Sequence, residues 1–543
     1  MQVYEQDYAP LWGSLGWSAL FAALPLLTLF ALLGGLRWKA WKASLVALAV
    51  ASAVALAVYG MPFGQAVLAG TEGAAFGFMP ILWIVLNAIW IYKLTELTGW
   101  DAVLRRAFGT LSDDHRVQAV IIAFCFGALL EALAGFGTPV AVTAAMLIAL
   151  GLQPIKAAAV ALVANTAPVA FGAIGVPITT LGEITGLDAA EVGAVVGRQT
   201  PVLAAVVPLV LVFMVDGRRG LRQTWPVALA TGLAFGVAQF VSANYISYQI
   251  ADIVAAFAGA LAAIVVLRAW KPQKQTVPVS SGGGWDPADG EPAGERPSRG
   301  SALLAFAPYL IVVVLFAITT SGPVSDWLSE HATWKWQWPG LHVVDSSGEA
   351  LSAITFKFEL LNGGTVLLLV GVLTALLYRV APMRALRAYG ATFAQFRWTI
   401  LTVMAVLALA YVMNLSGQTI TLGLFLAQAG AMFALLSPVV GWLGVAVTGS
   451  DTSANSLFGL LQLTAAQQTG LSAQLLAAGN SSGGVLGKMI SPQNLAIAAA
   501  VVGLEGREGE LFRRVVGWSL ALLALICALV YLQSTPVLGW MVS

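Results

Sequence analysis

Apolar segments long enough to cross a lipid bilayer recur along the whole chain. Runs of about 17 to 25 apolar residues can span the hydrocarbon core. The sequence predicts such spans near residues 12–36, 43–59, 76–95, 155–181, 199–216, 223–243, 245–267, 301–320, 361–379, 398–414, 471–500 and 516–534. Only 10% of the 543 residues are charged, whereas soluble proteins have about 25%. We therefore expect an all-α polytopic membrane protein with about 12 transmembrane spans.

Two further apolar segments, 117–151 and about 420–466, are too long for one crossing. Each is interrupted in its middle by glycine and polar residues. Non-helical backbone at membrane depth is tolerated only where it is buried in protein or lines a cavity. Both segments are therefore predicted to be re-entrant hairpins, which enter the membrane and leave it on the same side.

The basic residues favour one orientation of this layout. With the N-terminus outside, all lysines and arginines except Arg198, Lys335, Lys357 and Lys488 fall in segments on the inner face. Cytoplasmic loops carry an excess of basic residues. Both termini are therefore predicted to lie outside. Arg198, at the outer end of a span, could attract anions to an entrance, but a solvated helix end is the favoured interpretation.

The chain is predicted to contain two membrane repeats separated by one linker. Residues 271–300 are rich in proline, glycine and serine and are predicted to be a disordered cytoplasmic linker. Residues 1–270 and 301–543 then form the two repeats, the first with extra spans. A net charge of +1 argues against a nucleic-acid partner. No phosphate loop, HExxH or CxxC motif occurs, and we expect no cofactor and no metal site.

The halves share a duplicated motif. GFGTPVA at 135–141 is followed by NTAPVAFGAIGVPI at 165–178, and TGSDTSAN at 448–455 is followed by NSSGGVLGKMISPQ at 480–493. The separations agree: Thr138 precedes Asn165 by 27 residues, and Thr452 precedes Asn480 by 28. In the predicted topology the two copies have opposite orientations. Inverted repeats with interrupted helices indicate a secondary transporter whose site lies near mid-membrane.

These motifs predict a site for an anion, because helices broken near Asn165 and Asn480 would present unpaired backbone N–H groups to a ligand. Neutral side chains would add hydrogen bonds. The predicted substrate-binding residues are Thr138, Asn165, Thr166, Thr452, Ser453, Asn480, Ser481, Ser482 and Lys488. The alternative is that these residues form packing notches between helices.

Three charged side chains fall inside the apolar zone, where a functional role is the default hypothesis. Glu131 and Asp451 are the predicted proton-coupling residues. Glu131 could instead be a neutral packing residue, and Asp451 could bind sodium or cap the helix that follows. Lys488 could pair with a substrate carboxylate or with Asp451, or could extend toward the interface.

The same motifs resemble the L-lactate permease family, which includes bacterial lactate and glycolate carriers. The resemblance lies in EALAGFGTPVAV (131–142), NTAPVAFGAIGVPI (165–178), TGSDTSANSLFG (448–459) and NSSGGVLGKMISPQNLAIA (480–498). It implies proton-coupled uptake of 2-hydroxymonocarboxylates such as L-lactate, D-lactate and glycolate across the bacterial inner membrane. It also implies an architecture like that of the ion-transporter superfamily.

The sequence thus predicts a transporter with a small monocarboxylate substrate, protons and membrane lipid as its partners. A sodium-coupled carboxylate carrier is the alternative within that class. An anion channel would fit the repeat as well, but its flux would be uncoupled. A membrane-embedded enzyme is disfavoured because no nucleophile–base pair is evident in the sequence.

Overall fold

The helices begin and end at defined residues along the chain. The computed structural model describes residues 3–36, 38–109, 112, 114–134, 137–270, 298–319, 322–346, 348, 351, 354–504 and 507–542. In the first half the α-helices are α1 Leu15–Phe30, α2 Ala40–Ala57, α3 Phe63–Phe76, α4 Trp83–Thr98, α5 Trp100–Gly109, α6 His115–Ala119, α7 Gly127–Ala134, α8 Thr138–Ala149, α9 Pro154–Ala164, α10 Gly172–Thr185, α11 Ala189–Tyr245 and α12 Ala251–Ala269. Wider π turns at Ala31–Gly35, Gly77–Leu82 and Val120–Phe126 extend or join some of them.

The second half is also mainly helical. Its α-helices are α13 Arg299–Thr319, α14 Gly322–His331, α15 Gly363–Leu377, α16 Pro382–Leu415, α17 Gln418–Leu426, α18 Phe433–Thr448, α19 Asp451–Thr469, α20 Ala473–Gly487, α21 Pro492–Val501 and α22 Glu508–Gln533. Short 3-10 turns lie at Val169–Phe171, Tyr248–Ile250, Ala427–Met432, Lys488–Ile490 and Gly539–Met541. Residues 271–297 of the predicted linker lie outside the described residues.

The predicted polytopic helical fold is confirmed. Among the described residues, nine helices are long and apolar enough to cross a membrane, or ten if one strongly bent pair is counted as a span. The longest, α11, is interrupted at Asp216 and Gly217, where the glycine has a φ of +60°. The predicted spans 199–216 and 223–243 lie on either side of this interruption. The figure of about 12 spans stays a prediction.

The described residues include four short strands, which the sequence analysis did not predict. Strand β1 (Tyr4–Glu5) pairs in parallel with β3 (Val343–Val344), and β2 (Thr333–Gln337) pairs antiparallel with β4 (Thr355–Glu359). The first pair ties the N-terminal segment to the long connection between α14 and α15, and the second pair lies within that connection. Trp334 and Trp336 are largely exposed on β2.

The segment 115–149 folds back on itself. Helix α7 packs against α8, the returning helix. The Arg116 guanidinium contacts Asp216 at 3.1 Å, and the Lys156 amine donates to the Val215 carbonyl at 2.9 Å. The start of the segment and the first turn of the following helix, α9, are therefore anchored at the same bend of α11, which is the geometry expected of a hairpin. Its tip residues 135 and 136 lie outside the described residues.

The second predicted hairpin has its turn at 449–450. Helices α18 and α19 pack against each other on either side of it. The side chain of Ser450, rather than that of Asp451, caps α19 by accepting from the Ser453 N–H. The first arm starts at Phe433, later than the predicted 420, because α17 is a separate helix. Gly430, with a φ of +57°, lies in the 3-10 turn between α17 and α18.

The two interrupted helices break at different places from each other. Helices α9 and α10 are bent by 63° at a break that directly follows Asn165, as predicted. At the start of α10, Ala173 and Ile174 have φ angles of +46° and +57°, a strained conformation for side chains of this kind.

The prediction of a break at Asn480 is wrong, because α20 continues through Gly487. The interruption comes at Lys488–Ile490 and Ser491. The physical reason is Pro492, which has no N–H and forces the residue before it into an extended conformation. Asn480 itself is helical, and its side chain is fully engaged within the protein.

Arg116 stabilises the end of the molecule where the first hairpin begins. Its side chain is completely buried, and it forms ion pairs with Asp114 at 2.7 Å and Asp216 at 3.1 Å. Burial alone would raise the pKa of Asp114, but the hydrogen bonds and charge of Arg116 outweigh it and hold that pKa below its usual value. The Asp114 contribution to stability is therefore present at neutral pH and lost as the pH falls below about 4.

We expect Arg116→Ala to lower the free energy of unfolding by about 3 kcal/mol, because it leaves two carboxylates without their partner. Thermal unfolding of the purified protein in detergent at neutral pH measures this. Arg218→Ala, at an exposed position nearby, is the matched control and should change the midpoint little. Equal midpoints for both variants would contradict the role given to Arg116.

Candidate functional site

A buried ion pair joins the first hairpin to the second interrupted helix. The Nζ of Lys488 lies 2.5 Å from the Oε1 of Glu131, and the side chains are only 8% and 4% exposed. Asn165, at the end of α9, donates from Nδ2 to the other oxygen of Glu131 at 2.8 Å. We call Glu131, Asn165 and Lys488 the lysine cluster.

The local backbone makes room for this cluster. A β-carbon at Gly172 would lie 2.8 Å from Glu131 Oε1, which is closer than such atoms approach without displacement. The first residue of α10 must therefore be small for Glu131 to occupy its place. The observed partner of Lys488 is Glu131, which was not among the pairings predicted for it. The predicted pairing with Asp451 is not observed among the described residues.

A second buried cluster surrounds Asp451. Its Oδ2 accepts hydrogen bonds from Ser481 at 2.6 Å and from Asn455 at 3.5 Å. Asn480 donates to Asn455 at 2.9 Å, and Gln462 donates to Asn480 at 3.0 Å. These five residues, Asp451, Asn455, Gln462, Asn480 and Ser481, are buried, and we call them the aspartate cluster.

The two interrupted helices and the two hairpins meet. Asn455 donates its second hydrogen bond to the carbonyl of Pro177 on α10 at 3.1 Å, so the aspartate cluster is tied to the first interrupted helix. A β-carbon at Gly137 would overlap Ile497, and one at Gly449 would lie 2.8 Å from Gln493 Oε1. Both hairpin turns therefore lie against α21.

Several polar atoms at this junction have no hydrogen-bond partner within the described part of the chain. They are Asn165 Oδ1, Asp451 Oδ1, Gln462 Oε1 and Ser482 Oγ. Buried polar groups are normally hydrogen-bonded. These atoms therefore mark positions where a polar ligand or an ion would find partners. Among the described residues, no group of three His, Cys, Asp or Glu could hold a metal ion.

The other predicted site residues lie at the same junction. Ser453 is buried, and Thr138 and Thr452 are half-buried, in the first turns of α8 and α19. Thr166 is buried and donates to the carbonyl of Val163 at 2.7 Å. The roles given to these residues stay predictions.

Two residues of the aspartate cluster were not among the predicted site residues. Asn455 lies one helical turn after Asp451 and within the duplicated motif, so the i, i+4 spacing could have indicated it. Gln462 is two further turns along α19 and carries no sequence signal of its own. Asp252, which was not among the predicted site residues, is fully buried in α12.

Arg198 lines a cavity of about 640 Å³ at the opposite end of the molecule from the α11 bend. Its guanidinium donates to Asn244 Oδ1 at 2.9 Å and to the Met541 carbonyl at 2.8 Å. Glu191 lines the same cavity, so its wall carries both signs of charge. An entrance role for Arg198 stays a prediction.

The sequence profile of the family described as L-lactate permease matches residues 18–537. This chain belongs to the L-lactate permease family. Glycolate permease GlcA of Escherichia coli is 40% identical over the full length of both chains. The L-lactate permease of Bacillus subtilis is 39% identical, over 99% of this chain and all of the relative. Among solved structures, the YdaH transporter of Alcanivorax borkumensis aligns with 87% of this chain and 88% of its own at a TM-score of 0.45 and 14% identity, which is too weak a similarity to bear on architecture.

Membership of the permease family decides between the classes of protein considered. Permeases are transporters and not enzymes, and the apolar helices make this family member a multi-pass membrane protein. The prediction that the chain is not an enzyme is confirmed by the names of its relatives.

Close glycine contacts position the aspartate cluster. A β-carbon at Gly441 on α18 would overlap the Asn480 carbonyl oxygen. We expect Gly441→Ala to destabilise the protein by about 1–3 kcal/mol, because α18 and α20 must separate. Gly517→Ala is the control, since no described atom lies within 4 Å of a β-carbon there. Thermal unfolding compares them, and an unchanged midpoint for Gly441→Ala would contradict the account.

Proposed function

We propose that this chain is a secondary active transporter that couples inward proton movement to uptake of small 2-hydroxymonocarboxylates. L-lactate, D-lactate and glycolate are the substrates, and the bacterial inner membrane is the location. Family membership supports the substrate class, since relatives are named for lactate and glycolate. The single observation that carries the coupling is the buried ion pair between Glu131 and Lys488.

The substrate carboxylate binds to Lys488 in this proposal. A buried ammonium needs a negative partner, and Glu131 supplies it in the conformation described. Asn165 is bonded to Glu131 of this pair. Its Oδ1 and the hydroxyl of Ser482, on the helix that leads to Lys488, have no partner among the described residues and offer neutral hydrogen bonds that suit a hydroxyl group. The remaining predicted binding residues, Thr138, Thr166, Thr452, Ser453, Asn480 and Ser481, complete the site.

Coupling follows from competition for one lysine. While Glu131 is ionised, it holds the Lys488 ammonium at 2.5 Å. Protonation of Glu131 removes its charge and releases the ammonium for a carboxylate. The site then binds a proton on Glu131 and an anion at Lys488 together. Binding of only one of the two would leave a buried charge, that of Lys488 or that of Glu131, without a partner. Asp451, the second proton candidate, belongs to the neighbouring aspartate cluster, where its charge state acts on Ser481 through their hydrogen bond.

Transport requires that the site reach both faces of the membrane. We propose that residues 1–270 and 301–543 form an inverted repeat and that both hairpins are re-entrant. About 12 spans then place both termini outside. The arrangement is like that of the ion-transporter superfamily, with a mobile part carrying hairpins and interrupted helices past a scaffold. The matching order of hairpin and interrupted helix in the two halves supports this proposal.

A sodium-coupled carrier is the second candidate, and the aspartate cluster favours it. Asp451 Oδ1 has no partner among the described residues, and the hydroxyl of Ser481 lies beside it. Hard cations prefer oxygen ligands of this kind. Uptake that depends on sodium at fixed pH would support this candidate. An anion channel could not concentrate its substrate.

Proteoliposomes test the proposed function directly. With the membrane potential clamped, a gradient of one pH unit stores about 1.4 kcal/mol per coupled proton, which supports about tenfold accumulation. We expect radiolabelled L-lactate and glycolate to accumulate to this extent in liposomes that are alkaline inside. Failure of both to accumulate under the gradient would contradict the proposal.

Glu131→Gln should separate transport from coupling. The variant leaves Lys488 free at every pH, so we expect accumulation to fall about tenfold under a one-unit gradient. Lactate–lactate exchange should persist. Accumulation equal to that of the unaltered protein would rule out Glu131 as the coupling residue.

Lys488→Ala should weaken binding of the substrate. Loss of a buried charge-assisted contact costs about 1.5–3 kcal/mol, which corresponds to a rise of about tenfold or more in KM for lactate. Lys335→Ala, on the exposed strand β2, is the matched control. Equal KM values for both variants would contradict a role of Lys488 in binding.

A further inference from the structure

The proposed mechanism does not use one buried acid near the lysine cluster. Asp252 lies in the first turn of α12 and is fully buried. Gln239 donates to its Oδ1 at 3.0 Å. Its Oδ2 has no hydrogen-bond partner among the described residues, and none of their basic side chains forms an ion pair with it. A carboxylate ion in this setting would be costly, because one neutral hydrogen bond does not replace its hydration.

Asp252 is connected to the first interrupted helix through Gln239. The same Nε2 of Gln239 also donates to the carbonyl of Ala167 at 3.4 Å, and its Oε1 accepts from Thr200 at 3.0 Å. Ala167 belongs to the break between α9 and α10, two residues after Asn165. A change in the charge of Asp252 would therefore act on the backbone that positions Asn165 against Glu131.

Two charged side chains of opposite sign, Glu131 and Lys488, lie near enough to Asp252 to act on it electrostatically. Among the side chains that the structure describes, elements packed against α12 contribute further titratable groups, namely Cys125, Glu191, Arg198, Asp216, Arg218, Arg219, Arg222, Tyr245, Tyr248 and Tyr309. Among them, Arg198 is bonded to Asn244 and Met541.

The position of Asp252 suggests a path for the proton. Asp252 follows the turn Tyr248–Ile250, which joins α11 to α12 at the end of the molecule opposite the Asp216 bend. Glu131 lies in α7, between the start of the first hairpin at the Asp216 bend and the turn of that hairpin. We propose that Asp252 binds the transported proton on its way between the outer face and Glu131. This inference rests on the proposed function, because it presupposes that a proton moves with the substrate.

Asp252→Asn tests the proposal, because it keeps the shape of the side chain and removes the titratable group. In proteoliposomes we expect the initial rate of lactate uptake driven by a pH gradient to fall by about tenfold or more. Lactate–lactate exchange, which requires no net proton movement, should stay within about twofold. An unchanged driven rate, or an equal fall in both rates, would overturn the proposal.

Ser242→Ala is the control for disturbed packing. Ser242 lies on α11, the same helix as Gln239, and its buried hydroxyl donates to the Ser247 carbonyl at 3.0 Å. It has no part in the proposed path. Both rates should be close to those of the unaltered protein. If the unaltered protein itself shows no uptake under the gradient, the proposed function fails, and that result differs from a failure confined to Asp252→Asn.

A second variant keeps the proposal testable if Asp252→Asn does not fold. Asp252→Glu retains an acid whose carboxyl group is displaced by one methylene. We expect driven uptake to persist with a shifted dependence on external pH, while exchange is unaffected. A pH profile identical to that of the unaltered protein would count against proton binding at this position.

Discussion

The ion pair between Glu131 and Lys488 is the interaction on which the site depends. Each charge would cost several kcal/mol to bury alone, so each requires the other or a ligand. The pair joins a hairpin of the first half to an interrupted helix of the second half. Any movement that separates these elements must supply a new partner for the lysine, and a substrate carboxylate is such a partner.

Small residues allow the second half to reach this position. Glycines on α18 and α20 bring the two helices so close that a β-carbon at Gly441 or Gly483 would overlap the facing backbone. Small residues at helix contacts are typical of membrane proteins, where close packing replaces the hydrophobic effect between helices. This contact fixes Asn480 against Asn455 and Gln462, and so aligns the helix that ends at Lys488.

Much of the architecture could be predicted from the sequence, because the bilayer imposes a simple length rule on apolar segments. The break after Asn165 was also predictable, since NTAP combines polar residues with a proline. The corresponding break near Asn480 was placed too early. There the proline lies twelve residues after Asn480, at Pro492. The helix therefore continues past Asn480 and ends where the proline disfavours a helical conformation of the residue before it.

The pairing of charges could not be predicted, because it depends on three-dimensional packing between residues 357 positions apart. The sequence showed that Glu131, Asp451 and Lys488 lie in the apolar zone but did not show which acid receives the lysine. The hydrogen bonds of Gln462 and Gln239 could not be predicted for the same reason, because a glutamine inside a helix has no distinctive spacing in the sequence. Strands β1 and β3 pair residues from opposite ends of the first 344 positions, and at two residues each they are too brief to indicate strands from the sequence.

The central claim is that the substrate carboxylate replaces Glu131 as the partner of Lys488. Electron cryomicroscopy of the purified protein with L-lactate, at acidic and at neutral pH, tests it most directly. The account predicts a lactate carboxylate within about 3 Å of the Lys488 amine at acidic pH, with Glu131 no longer bonded to that amine. An intact ion pair with lactate bound elsewhere would contradict it.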